Sequence, residues 1–199
     1  SDRIWLFARA DARPSKPLLP DDPSPARQFR LVDLVLLHHG GERQVTSTAE
    51  WMDAAEATRV FHWNQMDEND ARRLSRTMSG KSVGLVLSGG GARAYAHIGV
   101  MRALREANCP VDFIGGASMG AIVGAAIACG WDDEEIHRRI YQAFVETNPL
   151  SDYRLPVVGL VKGHKVDARL KEHFGDRLIE DLPIPFFAVS TNLTQGTFK

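Results

Sequence analysis

Eleven of the seventeen glycines in this chain fall between Gly80 and Gly130. Glycines gather in this way where strands turn sharply into helices and backbone must pass close to backbone or to a ligand. The apolar pattern around them agrees. Val83–Leu87 is a short run of buried-strand type. Residues 94–107 carry Ile98, Met101 and Leu104 at helical spacing. Val111–Ile114 is a second strand, and Met119–Cys129 a small-residue helix ended by Gly130. Asp132 caps the next helix, with Glu134 and Glu135 in its first turn and Arg138 and Arg139 further on, and Asn148-Pro149 stops it. Residues 150–163 read as a loop, Val166–Phe174 as a helix closed by Gly175, and Phe186–Ser190 as the last strand. A turn at Thr194-Gln195-Gly196 leads into the start of a hairpin partner. This alternation predicts an α/β fold, with a mainly parallel sheet and helices on both faces.

The first 80 residues read as a smaller α/β segment ahead of that pattern. Strands are expected at residues 4–9 and at Phe29–Leu37, separated by an extended connector containing Pro14, Pro17, Pro20, Pro23 and Pro25. Thr48 opens a helical stretch with Trp51, Met52 and Ala55. Asp67 or Asp70 caps a second helix that passes Leu74 and Met78 and stops at Gly80. The expected division is therefore 1–80 and 81–199.

Composition removes several classes of function. The chain has 199 residues, with 24 Lys and Arg against 25 Asp and Glu, a formal charge of -1. No charge block supports nucleic-acid binding, and no polybasic segment supports electrostatic membrane anchoring. Two cysteines, Cys109 and Cys129, are too few for a disulfide framework; they fit a reducing compartment and read as small core residues. No signal peptide is recognisable. Phe113–Trp131 is uncharged and long enough to be weighed as a membrane span, but five of its residues are glycine, and it divides better into strand, turn and helix.

Two motifs carry chemistry. Ser88-Gly89-Gly90-Gly91-Ala92-Arg93-Ala94 follows a strand and opens a helix. Gly89, Gly91 and Ala94 satisfy a dinucleotide fingerprint, which also needs an acid at the end of the second strand, and none stands there. The same loop reads equally as an oxyanion hole built from backbone N–H groups, or as a tight structural turn. The second motif is Gly116-Ala117-Ser118-Met119-Gly120, a G-x-S-x-G joining strand to helix, as a nucleophile elbow requires; the alternative is that Ser118 merely caps the helix. Both motifs follow successive strands, so donors and hydroxyl converge at one sheet edge.

Other patterns fall away. Gly80-Lys81-Ser82 lacks the earlier glycine of a phosphate loop, where Ser75 stands, and precedes a strand. The seven histidines show no metal-ligand spacing, so no metal or cofactor is expected. His38 and His39 end a strand and read as structural or exposed, and His97 reads as a packing or capping residue. His137, His164 and His173 follow Ser118 in an order that leaves a Ser-Asp-His triad open.

Ser88–Val100 followed by Val111–Gly124 resembles the patatin-like phospholipase family, in particular its neuropathy target esterase-like lysophospholipase branch. Asp70–Gly80, and the upstream segment with Leu36-Leu37-His38 and Trp51, are similar to what precedes the catalytic domain there. The resemblance implies a patatin-like fold, present as the N-terminal part of the catalytic domain over residues 81–199. It implies Ser118 as the nucleophile of a Ser-Asp dyad. Gly89, Gly90 and Gly91 would then be oxyanion donors, with Arg93 beside them and Gly116 and Gly120 flanking the elbow. The substrate would be a phospholipid or lysophospholipid at a membrane surface, met from the cytoplasmic side by a peripheral enzyme. Cyclic-nucleotide-binding-like regulatory domains often lie upstream in this branch.

Two departures stand out. Ala94 occupies a usual glycine position. The family's catalytic Asp lies in an Asp-Gly turn, and this chain has no Asp-Gly pair; Asp132, Asp133, Asp152, Asp167, Asp176 and Asp181 read as caps and solvated residues. Phe187–Gly196 resembles the strand and turn that come before that Asp, so the general base is expected beyond residue 199.

Overall fold

The structure is a computed structural model and describes residues 3–17, 31–40, 48–146, 164–192 and 196–198. They form two compact units, one of residues 1–85, 110–114 and 179–187, the other of residues 86–109, 115–178 and 188–199.

In the first unit, β1 (Arg3–Arg9), β2 (Leu31–His38) and β3 (Arg59–Asn64) form a parallel sheet in that order. Central β2 is buried from Val32 to Leu36, as expected of a parallel strand covered on both faces. Leu34 and Leu36 pack with Trp51 of α1 (Thr48–Ala55). Val35, on the opposite face, packs with Phe61 and with Leu74 of α2 (Glu68–Met78). Helices thus cover both faces of this sheet, in keeping with a small α/β segment.

Asp33 shares the Val35 face and is fully buried. It survives there because Arg59 donates to both its carboxylate oxygens at 2.8 and 2.7 Å and Arg3 adds a third bond at 3.1 Å. Strand β3 is absent from the sequence reading: Arg59, His62 and Asn64 interrupt its apolar pattern. His62 is nevertheless buried, bonded to His38 at 2.9 Å and donating through Nε2 to the Glu180 carbonyl at 2.8 Å. Asp67, not Asp70, caps α2, accepting the Asn69 N–H at 2.9 Å. Asp70 is buried and accepts the Asn64 N–H and the Arg73 guanidinium.

A second three-stranded sheet has the order β4 (Gly84–Leu87), β5 (Phe113–Ala117), β6 (Phe186–Val189). Just before β5, buried Asp112 accepts a two-pronged contact from Arg76 (closest 2.6 Å) and the Val83 N–H at 3.0 Å. In the second unit a 3-10 turn, Gly91–Tyr95, leads into α3 (Ala96–Glu106), so the expected helix at 94–107 has a tighter first turn. Next come α4 (Met119–Ala128) and α5 (Asp133–Tyr141), the latter capped by Asp132 as expected. A π turn at Gln142–Glu146 follows; the expected stop at Asn148-Pro149 and the loop at 150–163 lie outside the described residues. Helix α6 (His164–Phe174) is held through Trp131, which stacks on Phe174 and lies under the Arg139 guanidinium. Strands β7 (Thr191–Asn192) and β8 (Thr197–Phe198) pair antiparallel, completing the expected hairpin.

The uncharged stretch 113–131 is therefore β5, a turn and α4, and no helix among the described residues is long and apolar enough to cross a membrane. One expectation fails: Cys109 is exposed, not a core residue, because it follows the end of α3 in the turn before Pro110. Cys129 is half-buried, and burial raises its thiol pKa.

Candidate functional site

Ser118 stands between β5 and α4 with φ 52° and ψ -130°. Among the described residues two other non-glycine residues have positive φ, Glu56 and Asn108, and both follow helix C-termini, where that conformation is ordinary. Ser118 instead opens a helix, and an L-residue held there costs about 1–3 kcal/mol. Its side chain is exposed and makes no capping bond to α4, which removes the reading of Ser118 as a simple N-cap. Its carbonyl accepts the Ala121 N–H at 2.9 Å, so α4 starts immediately behind the hydroxyl and points its positive end toward it.

The flanking glycines are required by space. A Cβ on Gly116 would meet the Ala121 backbone at 2.6 Å, and one on Gly120 would meet the Ser88 and Leu87 carbonyl oxygens at 2.3 and 2.4 Å. Strand, loop and helix can close on each other only without those side chains.

The glycine loop is brought to the same place. A Cβ on Gly89 would fall 3.1 Å from Ser118 Cβ and 3.8 Å from its Oγ, so the Gly89 backbone borders the hydroxyl directly. Gly91 takes φ +55°, which turns the chain into the 3-10 segment, where the Arg93 N–H donates to the Gly90 carbonyl at 3.2 Å. Ser88 through Arg93 are exposed. The Arg93 side chain makes no hydrogen bond or ion pair among the described residues. Buried Ala94 lies outside the positive-φ residues, so its methyl group needs no left-handed backbone. Tyr95 anchors the turn by donating its hydroxyl to the Ile140 carbonyl at 3.0 Å.

One residue at the loop, read from the sequence only as a packing or capping residue, has a partner that sequence reasoning does not supply. His97, half-buried in the first turn of α3, places Nε2 2.9 Å from the Ser88 carbonyl oxygen. The nine-residue separation from Ser88 gives no local signal. His137 stacks on Tyr141, and His173 has a buried, unpartnered Nε2. Neither these nor His164 bond to Ser118, and no carboxylate does so among the described residues. Asp112, the acid closest in sequence to the elbow, is committed to Arg76 and Val83 at the start of β5. A dinucleotide ribose would need a carboxylate at the other end of that strand. No group of three or more metal-ligating side chains occurs among the described residues.

The architecture is that of an α/β protein whose exposed serine occupies a strained strand-to-helix turn beneath a glycine loop. Residues 85–199 match the family described as patatin-like phospholipase, and the chain belongs to that family. An uncharacterized NTE family protein of Mycobacterium tuberculosis is 42% identical over 123 residues, which are 62% of this chain and 21% of that protein. The lysophospholipase NTE1 of Kluyveromyces lactis is 40% identical over 133 residues, 65% of this chain and 9% of that protein. Neuropathy target esterase sws of Drosophila persimilis is 39% identical over 139 residues, 66% of this chain and 9% of that protein. The chain thus spans about a fifth or less of these relatives' length.

Proposed function

We propose that this chain carries the nucleophile and oxyanion hole of a serine acyl hydrolase acting on carboxylic esters of phospholipids or lysophospholipids. The observation that carries the reading is the backbone of Ser118: a strained, exposed, uncapped serine directly bordered by Gly89. Ser118 Oγ attacks the ester carbonyl carbon, and its proton passes to the dyad carboxylate. The developing oxyanion is met by the N–H groups of Gly89, Gly90 and Gly91, with the Arg93 guanidinium adding positive charge. Collapse breaks the carbon–oxygen bond to the alcohol, which takes the proton, and water releases the acyl group from Ser118. The acid of the dyad is an Asp in an Asp-Gly turn, as the family resemblance implies, and no Asp-Gly pair stands among these 199 residues. Residues 81–199 are the N-terminal part of the catalytic domain, and residues 1–80 precede it.

Two relatives are named a lysophospholipase and an esterase, which supports a lipid carboxylic ester as substrate. We place the reaction at the cytoplasmic face of a membrane, with the enzyme associated peripherally. With a formal charge of -1 and no polybasic segment, apolar contact is the means of meeting lipid. The test is labelling of the full-length protein by a fluorophosphonate probe. Label is expected on Ser118 and absent from Ser118→Ala; label that survives the substitution overturns the proposal.

A further inference from the structure

The Ser88 carbonyl oxygen is held from two sides. His97 Nε2 lies 2.9 Å away. A Cβ on Gly120 would come within 2.3 Å of the same oxygen, so it rests against the Gly120 backbone. A carbonyl oxygen only accepts, so His97 carries its proton on Nε2 and donates.

The consequence appears on the other side of the peptide bond. The Ser88–Gly89 peptide is planar and trans. In such a unit the C=O and the N–H point in opposite directions, so fixing the Ser88 oxygen fixes the direction of the Gly89 N–H. Gly89 is also the residue whose Cβ would fall 3.8 Å from Ser118 Oγ. We infer that His97 is a positioning residue that aims the Gly89 N–H at the oxyanion. The inference rests on the reading of Ser118 as the nucleophile. With Nε2 engaged on the Ser88 carbonyl, that nitrogen is not an acceptor for the Ser118 proton, which separates this role from that of a general base. The bond also survives protonation of the ring, because Nε2–H is present in both the neutral tautomer and the imidazolium.

The experiment compares His97→Gln with His97→Asn in the full-length enzyme, with p-nitrophenyl butyrate as substrate. The Gln amide nitrogen reaches the position of Nε2, whereas the Asn nitrogen reaches only that of Nδ1. A misaimed oxyanion donor costs about 10- to 100-fold, so His97→Asn should lose that much in kcat with KM within about twofold. His97→Gln should lose about threefold or less and keep the acid limb of its pH–rate profile unchanged. Equal activity of the two variants, or loss of the acid limb in His97→Gln, overturns the inference. If the Asn variant does not fold, His97→Met takes its place in the same comparison. A Ser118→Ala control separates the two levels. An inactive control with equal Gln and Asn activities sinks only the role of His97; an active control sinks the nucleophile and this inference together.

Discussion

Gly120 lies so close beneath Ser88 that a β-carbon on Gly120 would stand 2.3 Å from the Ser88 carbonyl oxygen. Gly89, by contrast, would place a β-carbon 3.1 Å from Ser118 Cβ and 3.3 Å from the Ala117 carbonyl, a tight but adjustable contact. Two alanine substitutions should therefore separate folding from chemistry. Gly120→Ala forces backbone apart and should cost about 3 kcal/mol of stability through overpacking. Gly89→Ala needs a shift of tenths of an ångström and should cost about 1 kcal/mol or less, yet lower kcat about 10-fold or more by displacing an oxyanion donor. Thermal melts and ester hydrolysis on the two variants check this.

The strained backbone of Ser118 gives a second, independent expectation. Glycine tolerates φ 52°, ψ -130° without the penalty borne by a residue with a β-carbon. Ser118→Gly should therefore melt above Ser118→Ala, by the equivalent of about 1 kcal/mol once the extra chain entropy of glycine is deducted from the 1–3 kcal/mol of relieved strain. Equal melting temperatures would show that the turn stores no strain at this residue.

The legible part of this molecule is the part governed by local rules. Gly116, Gly120 and Gly91 are demanded by a sharp turn or a close approach, so their spacing around Ser118 and behind β4 foretold both turns. Asp132 foretold a cap for the same reason. What escaped was decided by partners distant in sequence. Arg59, His62 and Asn64 look unlike a strand until Asp33, His38 and Glu180 are seen to satisfy the first two. His97 looks like any helical histidine until Ser88 is found at its Nε2. The exposure of Cys109 likewise follows from where α3 ends, which apolar periodicity fixes only loosely.

Asp112 and Arg76 make a prediction for the scaffold. Asp112 is fully buried and receives Arg76 and the Val83 N–H. Hydrogen bonding to Asp112 holds the Arg76 guanidinium charged more firmly than usual. Arg76→Met strands a buried carboxylate and should cost about 3–5 kcal/mol. Asp112→Asn keeps an acceptor for Val83 and should cost less. The double variant Arg76→Met/Asp112→Leu should recover part of the loss, because it removes both charges from the interior. Denaturant midpoints of the three variants test the order.

His173 supplies the pH dependence. Its imidazole pKa is lowered, chiefly by burial, with Arg139, Arg169 and Arg138 opposing its protonation and Glu172 favouring it. Its Nε2 is buried without a hydrogen-bond partner. For a base whose folded pKa lies below its unfolded one, the unfolded chain binds the proton more readily. The stability associated with neutral His173 is thus complete above the ordinary value of 6.5 and declines as pH falls from there toward the lowered folded value. Wild-type protein should lose stability between pH 7.5 and 5.5, and His173→Met should lose less over the same interval, because it has no proton to gain. Parallel denaturation curves at the two pH values measure the difference; an identical pH response in the two proteins would assign the acid sensitivity to other groups.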